Sequence, residues 1–204
     1  MKKTILLIVA CTFAFVSAFA QNSEVEALNQ LTKAEQFKTD NSLVKEAVIY
    51  EFSSAAVVKV YAKLFTDLKN GEQITALEFH PSGLVKALSG GAALPLGYLD
   101  MDKVDDFILA LEKMLEEHNN ADKKDKFTVS YTAPGGIDAY YTTDFPGQPA
   151  PIVLFRKKWF TTNEYGVQTC IYSSAVAILP IKSLTNFISS LKEAQTIANQ
   201  SLGK

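Results

Sequence analysis

The feature that most constrains this chain is a helical pattern written twice, 80 residues apart. The first copy runs Leu99-x-Met101-x-x-Val104-x-x-Phe107-Ile108-x-x-Leu111, the second Leu179-x-Ile181-x-x-Leu184-x-x-Phe187-Ile188-x-x-Leu191. From Val104 or Leu184 onward, the i, i+3, i+4, i+7 spacing lays one apolar stripe along a helix. Asp102 with Asp105, and Ser183 with Asn186, are short polar side chains expected to accept from the unpaired amides at each helix start. A strand-like run feeds each helix, Ala92 to Leu99 in the first copy and Ser174 to Leu179 in the second.

A second match lies upstream at an offset of 95: Phe65-Thr66-x-x-x-x-Gly71-x-Gln73 against Phe160-Thr161-x-x-x-x-Gly166-x-Gln168. The preceding runs, Val58 to Leu64 and Val153 to Trp159, are rich in β-branched and aromatic residues and read as strands. Asn70-Gly71 signals a two-residue hairpin. The unequal offsets imply an insertion in the first copy, within His80 to Ala93. An earlier strand pair is expected at Ala47 to Phe52 and Phe127 to Thr132.

The expected fold is therefore α+β: two tandem units, each of about four antiparallel strands followed by a helix. They share one core or pack about a pseudo-twofold axis, because an apolar helix face and an apolar sheet face must both be covered. The divisions are a leader at 1–20, a lead-in at 21–42 with a helix from Ser23 to Phe37, a first unit at 43–118, a polar linker at 119–126 and a second unit at 127–204. The inferred topology resembles that of the Whirly proteins, which bind single-stranded nucleic acid; the likeness is one of topology alone, and no family is assigned from it.

The leader points to export. Lys2 and Lys3 precede an apolar run from Ile5 to Val16, and Ala18-Phe19-Ala20 supplies a small-x-small end before Gln21. This is the layout of a bacterial secretory signal, and the run is too short for a membrane span. A rival reading takes Ile8-Val9-Ala10-Cys11 as a lipid-attachment motif, but cleavage there would leave an apolar start where a polar tether is expected. The expected destination is the periplasm or the cell exterior, with lipid anchoring through Cys11 as the lesser alternative. Two of the chain's 20 basic side chains lie in the leader, leaving 18 against 22 acidic ones. A mildly acidic domain does not draw polyanions over long range, so no nucleic-acid partner is expected. Arg156 is the sole arginine, which counts against a phosphate specialist. Cys170 is the one cysteine after the leader, so no internal disulfide is expected.

Few residues carry recognisable chemistry. His80, before Pro81, reads as a turn residue, and His118, between acids and Asn119, as a solvated helix end. Neither has metal-ligand spacing, so no metal or cofactor is expected. Cys170 lacks a local base and reads as a small buried strand residue. Asp100, Asp102, Asp105 and Asp106 cluster at a helix start, where capping and the helix dipole account for them. The insertion from His80 to Ala93 lacks the glycine order of a phosphate loop and reads as an extra turn over a sheet edge.

One arrangement suggests binding. If Val58, Val60, Ala62 and Leu64 face the core, Lys59, Tyr61, Lys63 and Phe65 face outward. The matched outward residues of the second copy are Leu154, Arg156, Lys158 and Phe160. Tyr61, Lys63, Phe65, Arg156, Lys158 and Phe160 are thus the candidate ligand-binding residues, basic and aromatic groups side by side as on stacking platforms. The expected function is that of an exported, non-enzymatic domain binding a glycan, an anionic polymer or a protein partner. The alternative is a small extracytoplasmic hydrolase, which requires Asp100 or Asp102 to face Glu78 or Asp144 across a pocket.

Overall fold

A computed structural model describes residues 30–55, 57–81, 95–122, 124–144, 150–162, 165 and 167–202, with 173–175 described by backbone alone. The first sheet contains β1 (Val44–Ser54), β2 (Val58–Asp67), β3 (Gln73–Pro81) and β4 (Gly97–Asp100), side by side in that order and antiparallel. The second repeats the plan with β5 (Thr128–Thr132), β6 (Ile137–Thr142), β7 (Ile152–Thr162) and β8 (Gln168–Pro180). Each sheet leads through one 3₁₀ turn, Met101–Lys103 or Ile181–Ser183, into a long helix. These helices follow the short lead-in helix α1 (Lys33–Asp40); they are α2 (Val104–Asn120) and α3 (Leu184–Ser201). The chain is α+β, built of two tandem sheet-and-helix units.

The stripes fall where the periodicity puts them. Val104, Phe107, Ile108 and Leu111 are buried on α2, and Leu184, Phe187, Ile188 and Leu191 on α3. The helices are exchanged between the units: α3 lies on β1, β2 and β3 of the first sheet, while α2 reaches β5 of the second and packs along α3. Phe52 of β1 meets Phe187 of α3 with ring centres 5.6 Å apart, and Phe107 of α2 meets Tyr131 of β5 at 6.0 Å. At the middle stand four phenylalanines, Phe79 and Phe107 from the first unit and Phe155 and Phe187 from the second, with neighbouring rings 5.1 to 6.4 Å apart. All four are fully buried in one cluster that draws on both units. The shared core that was one of the expected arrangements is present.

Several local expectations need correction. The offset of 95 does not join equivalent strands, because Val58–Asp67 is second in its sheet and Ile152–Thr162 third. Alternation recurs in every half-buried antiparallel strand, so a pairwise likeness does not fix sheet position. The 15-residue discrepancy therefore measures no insertion; residues 82–93 of that segment lie outside the described residues, and His80 and Pro81 belong to β3. Asn70-Gly71 is not a two-residue hairpin. The Asp67 amide donates to the Glu72 carbonyl and that of Gly71 to the Asp67 carbonyl, a longer turn with Gly71 at φ 78°.

The helix caps also differ. Neither α2 nor α3 has a side-chain hydrogen bond at its N-cap. Each is entered through a 3₁₀ turn, in which the Val104 amide donates to the Met101 carbonyl and that of Leu184 to the Ile181 carbonyl. Asp105 instead accepts from Gln195 of α3 at 2.9 Å. The lead-in helix starts at Lys33; the expected stretch from 23 to 29 lies outside the described residues. Thr32-x-x-Glu35, a spacing characteristic of helix starts, closes a capping box there. The Asp100 carboxylate crosses from β4 to accept from the Lys33 amide at 2.9 Å and the Ala34 amide at 3.4 Å. Asp100 thus does cap a helix, but α1 rather than the one beside it in sequence. Gly135 fits against the same cap at φ 83°, where an added Cβ would come within 2.2 Å of Thr32 Cγ2.

Candidate functional site

With the helices packed inside, the sheet faces turned away from them hold the candidate residues. On β2, Val58, Val60 and Ala62 are in the core, so Lys59, Tyr61 and Lys63 share the outer face with Phe65. Tyr61 and Lys63 are partly exposed on that face, whereas Phe65 shares the face but is fully buried. α1 folds over that end of the face, packing Phe65 with Ala34, Phe37, Ala76 and Tyr98. Leu64, expected in the core, is half-buried.

Lys63 is held rather than offered. Its Nζ lies 2.8 Å from Glu78 Oε2 and 3.3 Å from Glu46 Oε2. His80 Nε2 stands 2.7 Å from the same Glu78 oxygen, and the His80 ring meets Tyr61 edge-on at 5.1 Å. His80 is therefore a strand residue on a charged face, not a turn residue. Burial alone would raise the Glu78 carboxyl, but hydrogen bonds from His80, Lys63 and Tyr98 outweigh it and hold the group at about 2. For Lys63, desolvation favours the neutral form, and Glu78 overcomes it to raise the ammonium.

A pH dependence follows. A carboxyl depressed in the folded chain adds stability above its unfolded value near 4.5 and loses it as pH falls toward 2. The urea midpoint should drop through that interval, and more shallowly in Glu78→Gln. Equal slopes for the two proteins would remove Glu78 from the account.

The second sheet carries a related group. Val153 and Phe155 are in the core, so Leu154, Arg156, Lys158 and Phe160 lie on the other face of β7. Arg156 Nε donates to Asp138 Oδ2 at 2.7 Å, and Asp138 also accepts from the Thr132 hydroxyl at 2.8 Å. The guanidinium carbon is 3.6 Å from the Tyr172 ring centre and 4.9 Å from that of Tyr140. Lys158 is paired across the strands with Tyr172 and sits 5.6 Å from the Phe160 ring centre. Leu154 is buried, whereas Tyr172 remains 42% exposed. The two sets of candidate residues thus lie on separate sheets. Each set contains a cation tied to a buried acid, Lys63 to Glu78 and Arg156 to Asp138. Sequence reasoning named Glu78 only as a hydrolase candidate, not as the partner of Lys63, and missed Asp138, Tyr140 and Tyr172, because these partners come from neighbouring strands.

No protein-family model matches the chain, and no curated protein does.

Among the described residues, the acids named for the hydrolase reading are each engaged elsewhere. Asp100 is committed to the α1 amides, Asp102 pairs with Lys33 at 3.1 Å, Glu78 with Lys63, and Asp144 with Lys126 at 2.8 Å. The facing carboxylates required by the hydrolase reading are not brought together by these contacts. Burial raises the Asp100 carboxyl against the lowering effect of the amides it caps. His118 is half-buried rather than solvated, with Nδ1 3.0 Å from the Tyr141 hydroxyl. The pair lines a cleft of about 730 Å³ with Asp122, Lys124, Asp125 and Pro151. Cys170 is a free, half-buried thiol opposite Phe160, less enclosed than expected. Among the described residues, no group of three or more His, Cys, Asp or Glu could hold a metal ion, and no helix is long and apolar enough to cross a membrane.

Proposed function

We propose that the chain is an exported, non-enzymatic binding domain that meets its ligand on the outer face of the second sheet, around Arg156 and Tyr172. The observation that supports this reading is the Tyr140–Arg156–Tyr172 stack. Asp138 fixes the guanidinium in place while Tyr172 keeps 42% of its surface open. A rigid arginine–tyrosine stack gives up little side-chain entropy on binding, and both residue types dominate recognition surfaces. The neutralised cations favour a flat group stacking on the ring over a polyanion held by charge. A sugar ring or an aromatic side chain of a protein partner meets that need.

Melting of residues 21–204 with neutral glycans, a sulfated glycan and aromatic-rich peptides tests the reading. A neutral glycan or an aromatic peptide at 100 times its dissociation constant should add about 2.7 kcal/mol, raising the melting temperature by several degrees. Tyr172→Ala, with its own melting unchanged, should abolish the shift. A shift that survives this substitution, or one given by the sulfated glycan alone, would sink the proposal. For export, the mass of the protein recovered outside the cytoplasm should correspond to a start at Gln21. A lipid-modified Cys11 or an intact leader would count against that part.

A further inference from the structure

We infer that the edge of β8, unpaired among the described residues, pairs with the same edge of a second copy of this chain, antiparallel, to form a homodimer with one continuous sheet. Among the described residues, four strands end the two sheets: β1, β4, β5 and β8. An exposed edge is a row of unpaired N–H and C=O groups, which chains blunt with short length, charge or bulges. β4 has 4 residues and β5 has 5, so both are short. β1 has 11 residues but carries Lys45, Glu46 and Glu51. β8 is the longest at 13 residues and contains no Lys, Arg, Asp or Glu.

The form of β8 localises the contact. Its pairing with β7 shifts between Arg156 and Lys158, dividing the strand into Gln168–Tyr172 and Val176–Pro180. The latter run puts Ala177 and Leu179 into the core. The former pairs with Lys158 to Thr162 beyond the end of β6, whose last partner on β7 is Lys157. This two-stranded ribbon places Trp159 opposite Ile171, both half-buried and both outside the two core clusters. A lone two-stranded ribbon is marginal in water, and a third strand stabilises it.

Charge selects the occupant. Two identical antiparallel strands related by a twofold axis bring each charged residue near its own kind, a repulsive arrangement for β1 with its glutamates. Uncharged β8 has no such conflict, and the twofold pairing consumes both edges at once, closing the assembly instead of growing a fibre. The dimer would set two copies of the Arg156–Tyr172 face in one surface, but the inference rests on the strand edge and is independent of the ligand reading.

The test is the mass of residues 21–204 in solution, by light scattering with reductant across a dilution series. The expected result is twice the chain mass, retained in Cys170→Ser and halved to one chain in Thr169→Lys, at an exposed edge position. Hydrogen exchange of the unmodified protein supplies a second readout: amides from Gln168 to Tyr172 should exchange slowly when concentrated and rapidly when dilute. A monomer at every concentration overturns the inference. So does a dimer that withstands Thr169→Lys, or exchange in this run that ignores concentration, which would give the edge to a foreign strand or to none.

Discussion

Phe155→Ala is expected to lower the unfolding free energy by about 3–5 kcal/mol, among the largest losses available to a single substitution in this chain. The ring is fully buried, 5.1 Å from Phe187 and 6.2 Å from both Phe79 and Phe107. Removing it takes apolar surface from the core and leaves a cavity that the three facing elements cannot easily collapse, since Phe79 is fixed on a strand and Phe107 and Phe187 on exchanged helices. Phe155 belongs to the second unit while Phe79 and Phe107 belong to the first, so the loss should fall on both. Urea unfolding followed separately by Trp159 fluorescence and far-ultraviolet dichroism should show both transitions moving together. A loss below about 1 kcal/mol, within the range of a surface change, would mean that the four rings are not a working core.

The second large effect is electrostatic. Asp138→Ala should cost about 3–5 kcal/mol, because it strands the Arg156 guanidinium in a half-buried position between two tyrosine rings. The aspartate side chain is 2% exposed and the arginine side chain 19%, so water can replace little of the lost partner. Thr132 loses its acceptor as well. Replacing both charges, Asp138→Leu with Arg156→Leu, should recover most of the stability, since two well-packed apolar side chains need no pairing. Denaturant midpoints of the single and double variants decide the matter. A single variant as stable as the parent would show the pair to be solvated, and would remove the rigidity on which the proposed binding face depends.

What the sequence revealed is tied to period. A stripe at 3.6 residues or an alternation at 2 says which side of an element is apolar, and Val104 to Leu111, Leu184 to Leu191 and Val58 to Ala62 obeyed it. Period does not say what lies over the other side. Phe65 reads as outward by alternation and is outward with respect to the main core, yet α1 covers it. Nor does it reveal who receives a polar group. Asp100 looked like a local cap and serves a helix 66 or 67 residues away. His80 looked like a turn because Pro81 follows, but β3 continues through Pro81 at its end. The candidate cations were visible as isolated charges; their partners, Glu78 and Asp138, come from the adjacent strand and appear only with the register. The exchange of helices left no local mark, since α2 and α3 carry the same stripe.

Through that exchange the two units are one folding body, with both long helices packed into the shared core. Differential scanning calorimetry of residues 21–204 tests it most directly. The account predicts one transition whose calorimetric and van't Hoff enthalpies agree, because neither sheet keeps its covering helix when the other unit is lost. Two resolved transitions, or a calorimetric enthalpy well above the van't Hoff value, would show units that melt separately and would contradict it.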